Sequence, residues 1–161
     1  MQKERGNCLQ SASHSLRLMG ASIKITIFHE DAENLLLQSE QLLHLYKNRF
    51  SANDADSELM AINLQAGKKA VRVHPELFEL IELGKKHSVA EHSHLNIAIG
   101  PLVQTWRIGF SDAKLPSKEE IHELLRITNP EEIVLDASKQ EVYLSKVGMR
   151  IDLGALAKGY I

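Results

Sequence analysis

The sequence predicts an α+β fold, a mixed and largely antiparallel sheet packed with helices. Three observations carry this. Helical and strand-like patterns follow one another without strict alternation, leucines recur at helical spacing in long segments, and two short apolar runs flank a turn-like Asp136-Ala137-Ser138. With 161 residues, 43% hydrophobic and 25% charged, the chain has the apolar content to build a core of its own, and one compact domain is expected.

The polar residues 1–15 are expected to form a disordered N-terminal segment, with 16–161 as the folded part. Residues 16–28 turn apolar, and Ile23, Ile25 and Ile27 alternate with Ser22, Lys24 and Thr26, which predicts a first core strand. Asp31 stands at an N-cap position, and Leu35, Leu36, Leu42, Leu43 and Leu45 mark a long helix ending near Arg49. Small and acidic residues at 50–56 break that pattern before Ser57-Glu58-Leu59 restarts a short helix that ends before Ala66-Gly67. A brief strand at 70–73 precedes Pro75, whose missing N–H costs nothing in a first helical turn, and a second long helix runs to about His87.

Gly100-Pro101 interrupts the apolar stretch 92–110, and Pro101 is expected to start a short helix carrying Leu102, Val103 and Trp106. Ser117 with Glu120 three residues on fits a capping box ahead of Ile121, Leu124 and Leu125. A hairpin is predicted from 133–135 and 142–144, with a further strand at 149–151. The last ten residues read as a strand end turning into a helix of about two turns, too short to be a self-sufficient ending.

Composition narrows the function classes. A formal net charge of -2 provides no global basic field for nucleic acid, and aromatics at 5% leave few stacking platforms for bases. No apolar stretch is long enough to cross a bilayer. No signal peptide is visible, and Arg5, Gly6 and Asn7 before the lone Cys8 do not make a lipid-modification site, so Cys8 is read as a free thiol and the cytoplasm is the expected location.

Chemistry-bearing clusters are few. His87, His92 and His94 with Glu91 are residue types that suit zinc or iron, yet no ligand pair sits at i,i+4 on an evident helix, and surface histidines are the favoured reading. Asp54, Asp56 and Glu58 either hold a cation or cap the helix near Ser57, with capping favoured. No Gly-x-Ser-x-Gly elbow supports a nucleophilic serine, and Gly154 and Gly159 lack the Lys-Ser/Thr that a P-loop needs. Two readings of the Gly154 turn stay open. Its N–H groups, with Lys158, receive a phosphate, or it is a plain strand-to-helix connection, which spacing alone favours.

Four blocks in order resemble the N-terminal half of the ApbE family, the FAD:protein FMN transferases. They are Leu18-Met19-Gly20-Ala21; Arg49-Phe50-Ser51 with Ser57-Glu58-Leu59 and Ile62-Asn63; Ile99-Gly100-Pro101-Leu102-Val103 with Trp106 and Gly109-Phe110; and Asp152-Leu153-Gly154-Ala155-Leu156-Ala157-Lys158-Gly159-Tyr160. The resemblance spans 16–161 and implies a fold incomplete relative to the full family domain. It implies an enzyme that binds FAD, splits its pyrophosphate with the help of Mg2+, and transfers FMN to a threonine hydroxyl of a flavin-accepting target protein, releasing AMP.

Carried over by position, the resemblance implies that Met19, the loop Phe50, Ser51, Ala52 and Asn53, the stretch His94, Leu95 and Asn96, and Asp152 and Lys158 contact FAD. Ala155 would offer its backbone carbonyl to magnesium, a role independent of side-chain identity. Ala21 departs from the family's usual threonine, Asn96 from a frequent aspartate, and position 158 varies between acidic and basic residues. Catalytic residues are expected in the family's second half, which brings the Asp and Thr side chains of the magnesium site and a histidine as proton acceptor. The chain is therefore expected to be a truncated, poorly active N-terminal half, its complement supplied by a separate chain or lost. The alternatives are a non-catalytic module that binds a flavin nucleotide or a partner, and a ligand-free remnant stabilised by self-association.

Overall fold

The computed structural model describes residues 9–161; Cys8 and the start of the expected disordered segment lie outside the described residues. The chain divides into two compact units, the first ending at Lys47 and the second running Asn48–Ile161.

In the first unit, strands β1 (Gln10–Leu18) and β2 (Ala21–His29) form an antiparallel hairpin, with Leu18 opposite Ala21 and Gln10 opposite His29. This corrects two expectations. Residues 10–15 are part of a paired strand rather than disordered, and the single strand expected over 16–28 is two strands joined at Met19-Gly20. Both turn residues have positive φ, 50° and 72°, the backbone of a two-residue turn whose twist matches that of its strands. Polar cross-strand pairs help hold β1, Ser13 Oγ lying 2.8 Å from Thr26 Oγ1. Ile23, Ile25 and Ile27 alternate as predicted, but each is only half-buried. Helix α1 (Ala32–Phe50) follows, with its last three residues in the second unit. Asp31 precedes it, and the Asp31 carboxylate accepts from Asn34 Nδ2 at 2.9 Å.

The second unit holds helices α2 (Glu58–Leu64), α3 (Pro75–Ser88), α4 (Gly100–Trp106), α5 (Lys118–Leu125) and α6 (Ala157–Tyr160). Its sheet has the order β3-β5-β4, from β3 (Val71–Arg72), β4 (Ile133–Asp136) and β5 (Glu141–Leu144), and both pairings are antiparallel. Local chemistry sets the helix starts. Ser57 Oγ accepts from Met60 N at 3.0 Å, Ser117 Oγ accepts from Glu120 N at 3.1 Å, and Pro75 and Pro101 sit in first turns. Glu120 pairs with Lys114 at 2.9 Å instead of closing the capping box. Leu59, Ile62, Leu77, Leu80, Ile81, Ile133 and Leu144 form the core between these helices and the inner sheet face. Among the described residues no helix is long and apolar enough to cross a membrane.

The strand expected at 149–151 does not form a ladder. Asn63, buried to 7% exposure on α2, takes its place as a side-chain stand-in: Ile151 N donates to Asn63 Oδ1 at 2.8 Å, and Asn63 Nδ2 donates to Ile151 O at 3.1 Å. One residue on, Asp152 N donates to Ile97 O at 2.9 Å. The segment is thus extended and buried, with its backbone satisfied by a side chain and by a 3-10 helix, Ile97–Ile99.

Candidate functional site

Besides α2, which bonds Ile151 through Asn63, two stretches of the second unit converge on the buried segment 149–153. Asn96 leads into the 3-10 helix Ile97–Ile99, capping it with Oδ1 at 2.8 Å from Ala98 N, while its Nδ2 donates to Thr128 O at 2.8 Å. An aspartate here would keep the cap and lose that donor, so the departure at 96 has a structural partner in Thr128. The bond from Asp152 N to Ile97 O sets Asp152 beside this turn. Gly100 then brings α4 against the same segment, for a Cβ on it would lie 2.6 Å from Arg150 O.

Asp152 closes a tight turn, its Oδ1 accepting from Gly154 N at 2.8 Å. Leu156 N and Ala157 N both donate to Leu153 O. Those N–H groups are engaged within the turn. The Ala155 carbonyl is not among the acceptors of the turn's backbone bonds, and both Ala155 and Lys158 are exposed.

The loop after α1 forms the second wall. Ser51 Oγ accepts from Asn53 N at 3.2 Å and Asp54 N at 3.1 Å, and Ser51 O accepts from Ser57 Oγ at 2.5 Å. On α4, Gln104 Nε2 donates to Asn53 Oδ1 at 2.9 Å and reaches Ala52 O at 3.4 Å. Phe50, buried, meets the Tyr160 ring edge-on at 5.6 Å between centroids. The loop is therefore clamped from α4 and α6. Arg49 pairs with Glu76 and, at 3.7 Å, with Glu58, fixing the end of α1 to the starts of α2 and α3.

The predicted site residues fall into three groups. Phe50, Ser51, Ala52, Asn53, Asn96 and Asp152 are built into this scaffold; His94, exposed, and Leu95, half-buried, form its approach; Met19 belongs to the first unit, at the hairpin turn. Among the described residues no three His, Cys, Asp or Glu converge as a metal cluster, and His92 and Glu91, 3.4 Å apart, both stand out in solvent. Asp54 and Asp56 likewise serve the loop, Asp56 N donating to Asp54 Oδ1, while Ser57 caps α2.

Sequence reasoning gave no role to the turn after α4. Arg107 ends the helix in left-handed backbone (φ 47°), its guanidinium lies 4.5 Å above the Phe110 ring, and its Nε is 2.7 Å from Asp112 Oδ2. The turn and α4 enclose an apolar cavity of about 240 Å3 that also touches Asn53. The Arg107 guanidinium beside it holds the Asp112 carboxyl below the usual carboxylate range. A depressed carboxylate contributes stability above its unfolded-state value and loses it as pH falls through the folded one. The turn is therefore expected to hold at neutral pH and loosen only in acid, below the ordinary aspartate range. Emission of Trp106, the chain's single tryptophan, should report this; a transition near neutral pH would contradict it.

A model of the ApbE family matches residues 19–161. The chain belongs to this family. It is 41% identical over 149 residues to an FAD:protein FMN transferase of Klebsiella pneumoniae, covering 92% of this chain and 47% of that protein. It is 34% identical to one of Treponema pallidum, covering 82% and 36%. The crystal structure of the ApbE protein from Thermotoga maritima superposes with a TM-score of 0.81 at 25% identity, over 94% of this chain and 50% of that one. A flavin transferase ApbE from Vibrio cholerae gives 0.80 at 22%, a likeness of fold. The chain spans about half the length of the curated ApbE relatives it matches or less.

Proposed function

We propose that this chain carries the flavin-nucleotide recognition part of an FAD:protein FMN transferase. The observation that supports it most is the convergence of Asn96, Asp152 and the loop 50–53 on one scaffold, held by Asn63, Gly100 and Gln104. These residues lie far apart in sequence, and the second unit holds each of them in place through hydrogen bonds of its own. The relatives named FAD:protein FMN transferase supply the reaction.

In that reaction a threonine hydroxyl of the acceptor protein attacks the phosphorus of the FMN half of FAD. An O–P bond forms, the pyrophosphate O–P bond breaks, AMP leaves with the electron pair, and the hydroxyl proton passes to a base. This chain's part is to orient the dinucleotide. Asp152, fixed by Gly154 N and Ile97 O, holds a negative, half-buried acceptor for N–H or O–H groups of the cofactor. Lys158 offers a positive charge to a phosphate oxygen from the exposed side of α6. The proton acceptor and the remaining metal ligands are assigned to the part of the family domain outside the matched half.

Magnesium fits in part. It favours oxygen donors and keeps several waters alongside substrate phosphates, and the carbonyl of the exposed Ala155, outside the turn's own bonding, is an oxygen donor of that kind. When bound it neutralises the pyrophosphate and the leaving AMP.

Titrating the purified 161-residue chain with FAD, followed by flavin fluorescence, tests the reading. Saturable binding is expected, competed in part by FMN and by AMP and tightened by magnesium. Asp152→Ala is expected to weaken it about tenfold, the scale of one hydrogen bond to a charged group. FMN transfer by this chain alone should be slight. Absence of FAD binding would overturn the proposal, and robust transfer by the 161-residue chain would overturn the division of labour.

A further inference from the structure

The segment 149–153 alternates in character. Met149, Ile151 and Leu153 are at most 1% exposed, whereas Arg150 and Asp152 between them are half-buried. In an extended chain alternate side chains share a face, so the core takes the three apolar residues and the two charged ones leave together on the other side. Asp152 is the acceptor assigned above to the cofactor, and Arg150 is its neighbour on that face.

The surroundings of Arg150 set it apart from the other half-buried cations of the second unit, Arg49, Lys85 and Arg107. Arg49 pairs with Glu58 and Glu76, Arg107 pairs with Asp112, and Lys85 Nζ donates to Ile133 O. Arg150 Nη2 reaches Met60 Sδ at 3.9 Å, and among the described residues no carboxylate or carbonyl accepts from this guanidinium. A thioether is a weak, uncharged acceptor, and this one is already shared with Asn63 Nδ2 at 3.8 Å.

Position gives these donors a direction. A Cβ on Gly100 would lie 2.7 Å from Arg150 Cβ, and Gln104, one turn along α4, bonds Ala52 O and Asn53 Oδ1. Met60 is in the first turn of α2, where Ser57 Oγ caps Met60 N and donates to Ser51 O. Arg150 thus stands between the two helices that hold the loop 50–53, on the face that carries Asp152.

We propose that Arg150 receives a phosphate of the flavin dinucleotide, its guanidinium fork pairing with phosphate oxygens while Asp152 accepts from an N–H or O–H group of the same molecule. The inference rests on the function proposed above. A planar guanidinium matches two phosphate oxygens at once, and the phosphate brings the negative charge that the protein does not place beside Arg150.

Flavin-fluorescence titrations of the 161-residue chain with FAD and with riboflavin, which has no phosphate, test this. Arg150→Gln is expected to weaken FAD binding about 30-fold, the scale of a charge-assisted pair, and to change riboflavin binding by less than about twofold. Arg150→Lys keeps the charge without the fork and should recover part of the loss. FAD affinity should also fall less steeply with added salt in the glutamine variant, because one screened ion pair is gone. Thermal unfolding distinguishes a packing role: both variants should melt within about 2 °C of the unaltered chain, since the contact removed is to a thioether. Unaltered FAD affinity in Arg150→Gln, or equal losses for FAD and riboflavin, would overturn the proposal. Absence of FAD binding by the unaltered chain would overturn the flavin reading and this inference with it, whereas FAD binding that the glutamine variant keeps in full would sink the role of Arg150 alone.

Discussion

Replacing Asn63 with alanine is expected to destabilise the second unit by about 2–4 kcal/mol. The substitution removes a buried amide and leaves the N–H and C=O of Ile151 without partners in a place water does not reach. Asn63→Asp separates the two bonds. Its carboxylate keeps an acceptor for Ile151 N but faces Ile151 O with a negative charge, and burial among apolar neighbours raises its pKa. Protonation restores a donor. A group whose folded pKa is raised stabilises below its unfolded value and loses that contribution as pH rises through the folded one. The aspartate variant should therefore be closer to the unaltered protein in mild acid than at neutral pH, while the alanine variant shows no such recovery. Urea unfolding at the two pH values checks both, and equal stability of all three chains at neutral pH would remove Asn63 from its bridging role. Because Ile151 precedes Asp152, FAD affinity should fall with stability in this series.

The parts of the fold that were legible in the sequence are those decided within a few residues. Ser57, Ser117, Pro75 and Pro101 each mark a helix start through a hydroxyl or a ring acting on its own first turn, and all four operate in the structure. The hairpin at Met19-Gly20 was not legible, because an apolar methionine occupies the first left-handed turn position where asparagine or aspartate would have announced it. Residues 149–151 carry a strand-like pattern since burial alone selects Met149 and Ile151; whether a ladder forms depends on a partner 88 residues away, and that partner is a side chain. The same limit applies to the site. The loop 50–53, Asn96 and Asp152 emerged only through resemblance to the family, whereas Gln104 and the Arg107–Asp112 turn, which shape the cavity, have no local signature.

Gly100→Ala is the second change expected to have a large effect, and its cause is closeness rather than backbone freedom. Gly100 has ordinary helical angles (φ -49°, ψ -39°), so alanine is compatible with the conformation. The added methyl would lie 2.6 Å from Arg150 O, 2.7 Å from Arg150 Cβ and 2.9 Å from Arg150 C, where the backbone of a buried segment cannot move aside as a flexible side chain does. A cost of about 1–3 kcal/mol is expected, lowering the unfolding midpoint by about 3–10 °C for a chain of this size. Gly159→Ala provides the contrast. It sits in α6 with nothing within 4 Å of the added methyl, and alanine there should be neutral or raise the midpoint slightly. Relaxation in the Gly100 variant has to separate α4 from the segment 149–153. That movement draws Gln104 and the loop 50–53 away from Asp152, so FAD affinity should fall even at temperatures where the variant is fully folded. A variant that melts early but binds FAD with unaltered affinity would show that the nucleotide does not need these two walls held together.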